Sequence, residues 1–127
     1  MNRTRLLPVV IITALLLAAP ACGDGYTIGP APIHQVDVRF AESFPEQVLV
    51  YIQGGLRDGC TSFDNAKVAQ NESGVTITVT TRRPKDAVCP AIYGYFERNI
   101  NLGSDFVRGQ TYTLAVNDYS TTFTYPR

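Results

Sequence analysis

Thr111-Tyr112-Thr113-Leu114-Ala115-Val116-Asn117-Asp118-Tyr119-Ser120-Thr121-Thr122-Phe123-Thr124-Tyr125 reads as a complete β-hairpin. Two alternating segments flank Asn117-Asp118, a pair that tolerates the positive φ a two-residue type I′ turn demands. Folding the chain there sets Val116 against Tyr119, Leu114 against Thr121 and Tyr112 against Phe123 on one face. The other face pairs Ala115 with Ser120, Thr113 with Thr122 and Thr111 with Thr124. One side is apolar and the other wet, as a half-buried antiparallel pair requires.

The same arithmetic works upstream. With Asn71-Glu72-Ser73-Gly74 as a four-residue loop, Gln70, Val68 and Ala66 face Val75, Ile77 and Val79. Ala69, Lys67 and Asn65 then face Thr76, Thr78 and Thr80 on the solvent side. Val36, Val38 and Phe40 alternate with Asp37 and Arg39, which marks another half-buried strand. Val48-Leu49-Val50-Tyr51-Ile52 is apolar on both faces and predicts a central strand that Gly54 and Gly55 stop. Tyr95 to Leu102 predicts a strand with Phe96, Ile100 and Leu102 inward. Arg98 falls on that same face, so a bulge near Gly94 or an edge position is expected to release its guanidinium to water. No window carries a helical stripe. About seven strands with frequent turns predict an all-β fold, an antiparallel immunoglobulin-like β-sandwich.

Ahead of these strands the chain changes character. Arg3 and Arg5 precede the apolar run Leu6 to Leu17, followed by small residues up to Ala21. That is the pattern of a cleaved secretory signal, and the apolar run is shorter than the roughly 20 residues a membrane helix needs. Ala19-Pro20-Ala21-Cys22 resembles the lipobox of bacterial lipoproteins, with Ala19 where that box prefers Leu. The resemblance implies diacylglyceryl and palmitate modification of Cys22, which becomes the mature N-terminus. Gly23 after the cysteine favours outer-membrane sorting where two membranes exist. The expected organisation is therefore a signal over 1–21, a lipidated cysteine and flexible tether over 22–33, and a sandwich over 34–127. As a flexible coil, Gly23 to Pro32 would reach about 17 Å.

With Cys22 given to lipid, Cys60 and Cys89 are the remaining cysteines. In an oxidising compartment a disulfide between them is expected, closing a loop of about 30 residues and stabilising the fold by roughly 3–4 kcal/mol. The alternative is two buried free thiols. Gly109 to Val116 looks like the entry to the tyrosine-corner strand of fibronectin type III and related domains, with Tyr112 as the structural corner. Gly55 to Thr61, Thr81 to Cys89 and Gly109 to Asn117 resemble landmarks of small bacterial secreted lipoproteins with one sandwich domain, a group that implies no activity.

Searches for chemistry return little. The 11 basic and 11 acidic side chains balance, and loss of Arg3 and Arg5 leaves the mature chain slightly acidic with no basic cluster for nucleic acid. No zinc or calcium pattern is present, so neither metal nor cofactor is expected. His34 is the single histidine, and no serine stands in Gly-x-Ser-x-Gly. Asp58, Asp64 and Glu72 read as turn caps. Tyr93, Tyr95 and Phe96 lie within four residues and, with Arg82 and Arg83, form a candidate binding patch for a glycan or an envelope protein. The threonine faces read as exposed strand filler. The expected function is a lipid-anchored, extracytoplasmic, non-catalytic binding or structural module of the cell envelope. The alternatives are an inhibitor-type module using the stapled loop Arg82 to Pro90 and, third, a small hydrolase.

Overall fold

A computed structural model describes residues 25–127; the signal 1–21 and Cys22 lie outside the described residues. Eight strands form two sheets packed as a β-sandwich: β1 (Tyr26–Pro30), β2 (Ile33–Phe40), β3 (Val48–Leu56), β4 (Ser62–Gln70), β5 (Gly74–Pro84), β6 (Gly94–Gly103), β7 (Thr111–Val116) and β8 (Tyr119–Thr124). No helix among the described residues is long and apolar enough to cross a membrane.

One sheet has three strands in the order β2-β3-β6, all antiparallel. The other has five and is organised by the long strand β5. β4 covers one edge of β5. On the opposite edge β7 pairs with Gly74 to Ile77 and β1 with Thr80 to Pro84. Val50, Ile52, Ile77, Leu114 and Val116 are completely buried between the sheets. Phe106, Tyr112, Phe123 and Tyr125 close the core at the far end through tilted, edge-on and stacked ring contacts.

Both hairpin registers read from the sequence are the registers of the structure, pair for pair. Turn chemistry and alternation act on the same residues there, so a one-residue slip would invert both strands. At the last turn only Asn117, at φ 50°, takes positive φ, so the turn is not type I′. The Asn117 side chain is instead drawn towards β5. Its Oδ1 accepts from Val79 N–H at 2.9 Å, while Nδ2 donates to Ala31 and Val79 carbonyls. It satisfies the backbone at the C-terminal ends of β7 and β1, where their pairings with β5 meet.

Several expectations need correction. The described residues form eight strands, in keeping with the about seven expected, but residues 26–30, read as tether, form β1. This strand is short, carries Gly29 and Pro30, and buries neither Tyr26 nor Ile28, but β7 leaves the far half of the β5 edge unpaired, and β1 supplies its partners. The sheets are antiparallel except for β5 and β7, which run parallel because the intervening β6 belongs to the other sheet. β3 runs through Gly54 and Gly55 to Leu56. Of the two ways foreseen for Arg98, the edge position is the one realised: β6 is an edge strand and Arg98 is exposed, with its guanidinium 4.1 Å from the centre of the Phe63 ring. The irregularity against β3 falls between Val48 and Leu49, at the opposite end of β6 from Gly94.

Candidate functional site

Alternation along β3 sends Val48, Val50 and Ile52 inward and Leu49, Tyr51 and Gln53 outward. The register then fixes three outward rows across the sheet: Arg39, Leu49 and Asn101; Asp37, Tyr51 and Asn99; Gln35, Gln53 and Glu97. Hydrogen bonds tie this face together. Gln35 Nε2 donates to Asp37 and the Tyr51 hydroxyl donates to Glu97 Oε1 at 2.7 Å. That bond to the carboxylate, with burial and the nearby negative charges, raises the Tyr51 phenol above its usual pKa of 10.0.

An aromatic cluster completes the upper end of the same face. His34 Nε2 and the Tyr93 hydroxyl share a hydrogen bond of 2.5 Å. His34, Tyr93 and Tyr95 meet edge to face with ring centres 5.4–5.8 Å apart. Tyr93 and Tyr95 are 44% and 61% exposed, so the rings present surface to solvent rather than to the core. Gly55 seats them: a Cβ there would overlap the Tyr93 hydroxyl and crowd His34 Nε2. Gly54 does the same on the inner side for Phe96. A glycine pair inside a strand marks close approach by neighbouring groups, which was the readable signal for this site.

The candidate patch therefore divides. Phe96 is 7% exposed and belongs to the core. Arg82 and Arg83 lie on β5, in the other sheet. Arg82 covers the Tyr26 ring at 5.1 Å. Arg83 Nε donates to Asp58 Oδ2 at 2.6 Å and Nη2 to the Ala87 carbonyl. His34, 59 residues before Tyr93, takes their place, a partner that sequence proximity could not reveal.

In the loops beyond the same end of the sheet, Cys60 and Cys89 are bonded to each other with their Cα atoms 5.5 Å apart. Asp58 caps the same turn, accepting from Cys60 N–H, Thr61 N–H and the Thr61 hydroxyl. The Arg83 hydrogen bond, then that from Thr61, holds the Asp58 carboxyl down to about 2, against an ordinary 3.8. Asp58, Cys60 and Cys89 lie within ligand distance of one another, but the two sulfurs are spent in the disulfide and the carboxylate on Arg83 and Thr61. At the opposite end Tyr112 is buried, accepts from Val107 N–H at 2.8 Å and stacks on Phe123; Gly109 supplies the positive φ, 77°, that opens the corner.

Two sheets enclosing one apolar core, with an exposed aromatic and amide face, define a small β-sandwich domain. Residues 50–125, more than half of the chain, match the ORF11 beta-sandwich domain, and the chain belongs to that family. It is 42% identical over 86 residues to the uncharacterized 10.2 kDa protein in the HgiCIIM 5′ region of Herpetosiphon aurantiacus, covering 68% of this chain and 90% of that one. The corresponding protein of the HgiBIM 5′ region in the same organism is 43% identical over 76 residues, 60% of this chain and 92% of its own length. No solved structure matches.

Proposed function

We propose that the protein is a lipid-anchored, extracytoplasmic, non-catalytic binding module whose ligand surface is the outer face of the three-stranded sheet. The ligand class is a glycan of the cell envelope. The observation that carries the reading is the exposed His34, Tyr93 and Tyr95 cluster seated on Gly55 beside rows of amides and carboxylates. Sugars present apolar C–H faces edged by hydroxyls, and rings flanked by Asn, Gln and Glu match both. Lipid attachment rests on the signal pattern and Cys22. The inhibitor alternative needs Arg83 presented to a protease, and Arg83 is occupied by Asp58 and Ala87.

Titration of the mature chain with soluble envelope glycan fragments, followed by backbone NMR, tests the ligand reading. Shifts should map to β2, β3 and β6, and Tyr95→Ala should weaken binding about tenfold, roughly 1.4 kcal/mol. Unchanged affinity, or shifts confined to β7 and β8, would overturn it. For the anchor, intact-mass analysis of the membrane fraction should show a chain starting at Cys22 with acyl mass; an unmodified chain of 22–127 sinks that part.

A further inference from the structure

Loops 57–61 and 85–93 leave the two sheets at one end of the sandwich, since Leu56 pairs with Gly94 and Pro84 with Tyr26. The disulfide and the Arg83–Asp58 ion pair join these loops into one cap. The chain enters the domain at this same cap, where Lys85 N–H donates to the Gly25 carbonyl. Because β1 replaces most of the supposed tether, Cys22 precedes the first described residue by only three positions.

That shortening changes what the cap must touch. Whatever their conformation, three residues span at most about 10 Å. The polar layer on each side of a bilayer's hydrocarbon is roughly 5–8 Å deep. A cysteine held at the base of that layer by its acyl chains leaves the cap at most a few ångströms clear of the headgroups, about 2–5 Å.

The cap is built for that surface. Val88 is fully exposed and Ile92 is 67% exposed, although neither has a core to fill or a strand to pair. Arg57, Arg82, Arg83 and Lys85 face only two acids in the cap, Asp58 and Asp86; elsewhere the described residues carry five basic side chains against eight acidic. The positive end of an otherwise acidic domain is the end at the chain entry, and clustered Lys and Arg are attracted to a membrane surface that carries anionic lipid.

We infer that the disulfide-stapled cap is a membrane-docking surface, with Val88 and Ile92 entering the headgroup region and Lys85 and Arg82 contacting lipid phosphates. Docking fixes the domain upright on the bilayer and leaves the His34, Tyr93 and Tyr95 face turned sideways, open to a ligand lying along the envelope. This rests on the reading of Cys22 as the point of lipid attachment.

The chain contains no Trp, so single Trp substitutions report without background. The chain from residue 22 is coupled through Cys22, its one cysteine outside the disulfide, to maleimide-headgroup lipid in vesicles of brominated phosphatidylcholine and phosphatidylglycerol. Emission of Val88→Trp and Ile92→Trp should be strongly quenched and blue-shifted. Val107→Trp, in the exposed loop before β7 at the far end, should emit as it does in solution. Equal quenching at both ends, or none at either cap position, overturns the inference. Coupling by maleimide makes this result independent of acylation in the cell, so an unacylated chain in the intact-mass experiment would remove the natural anchor without being mistaken for a failure of the cap.

Discussion

On the outer face of the five-stranded sheet stand Thr76, Thr78, Thr113, Thr122 and Thr124; on that of the three-stranded sheet stand Gln35, Asp37, Tyr51, Gln53, Glu97 and Asn99. Both faces come from the same alternation, and both look outward. Threonine is a good strand former, and a face filled with it is what stability alone selects. Asn, Asp and Glu are poor strand formers, and Asp37, Asn99 and Glu97 stand around Tyr51 where the other face carries mostly Thr, with Asn65 and Lys67 only on its β4 edge. That is the difference expected between a face shaped by folding alone and the face proposed above to bind.

The largest expected effect tests whether the contact face depends on its support. Replacing Cys60 and Cys89 together by Ala should cost about 2–5 kcal/mol in denaturant unfolding. NMR line broadening should spread through residues 85–95 and His34 while β7 and β8 stay sharp. Uniform broadening would show that the staple serves both faces alike. Next in size, Gly55→Val forces a side chain into the space of the Tyr93 hydroxyl and should cost about 1–3 kcal/mol. Thr78→Val, on the opposite face, should be nearly neutral. Equal melting temperatures for these two variants would break the distinction.

Beneath the threonine face, Tyr112→Phe strips the Val107 N–H of its acceptor and should cost about 1–2 kcal/mol, whereas Thr113→Ala, one position away and exposed, should cost under about 0.5 kcal/mol. Equal losses would dissolve the corner.

Two pH experiments are finer. The Asp58 carboxyl is depressed to about 2 in the folded chain, so its contribution is complete above the ordinary carboxylate range and is lost as pH falls from about 4 through about 2. Asp58→Asn should flatten the acid limb of the stability curve in that window; an unchanged limb means the pair with Arg83 is not formed. The smallest effect is spectroscopic. Tyr51 should ionise above the free phenol in ultraviolet titration, and Glu97→Gln should bring it down. A Tyr51 titration indifferent to Glu97 would remove one link from the polar face.

Much of the fold was legible. Both hairpins could be paired residue by residue because loop length and alternation independently specify one register. β1 could not, since Tyr26-Thr27-Ile28-Gly29-Pro30 is five residues long, includes Gly and Pro and buries neither apolar side chain, and its reason for pairing is the vacant edge of β5, a property of the assembled sheet. At the site, the tyrosines were visible as a cluster, yet their partner is His34 on another strand, and Arg83 finds Asp58 across 25 positions. Pairings of that span follow from topology. The misread Gly54-Gly55 shows the opposite case: the residues were noticed, but their space was needed for rings rather than for a turn.

Asn117 and β1 together have a mechanical consequence. Tyr26 to Pro30 lie alongside β5 with their free end at the cap, so a pull on the preceding chain along the strand axis loads the β1–β5 hydrogen bonds in shear. Shared load resists rupture far better than bonds opened singly. At the inner end of the strand, Ala31 is held by Val79 and by the Asn117 amide, which acts as a stop behind the sheared segment. A pull on the domain is thus carried into the sandwich through β5, its longest strand, and not through the three-stranded sheet.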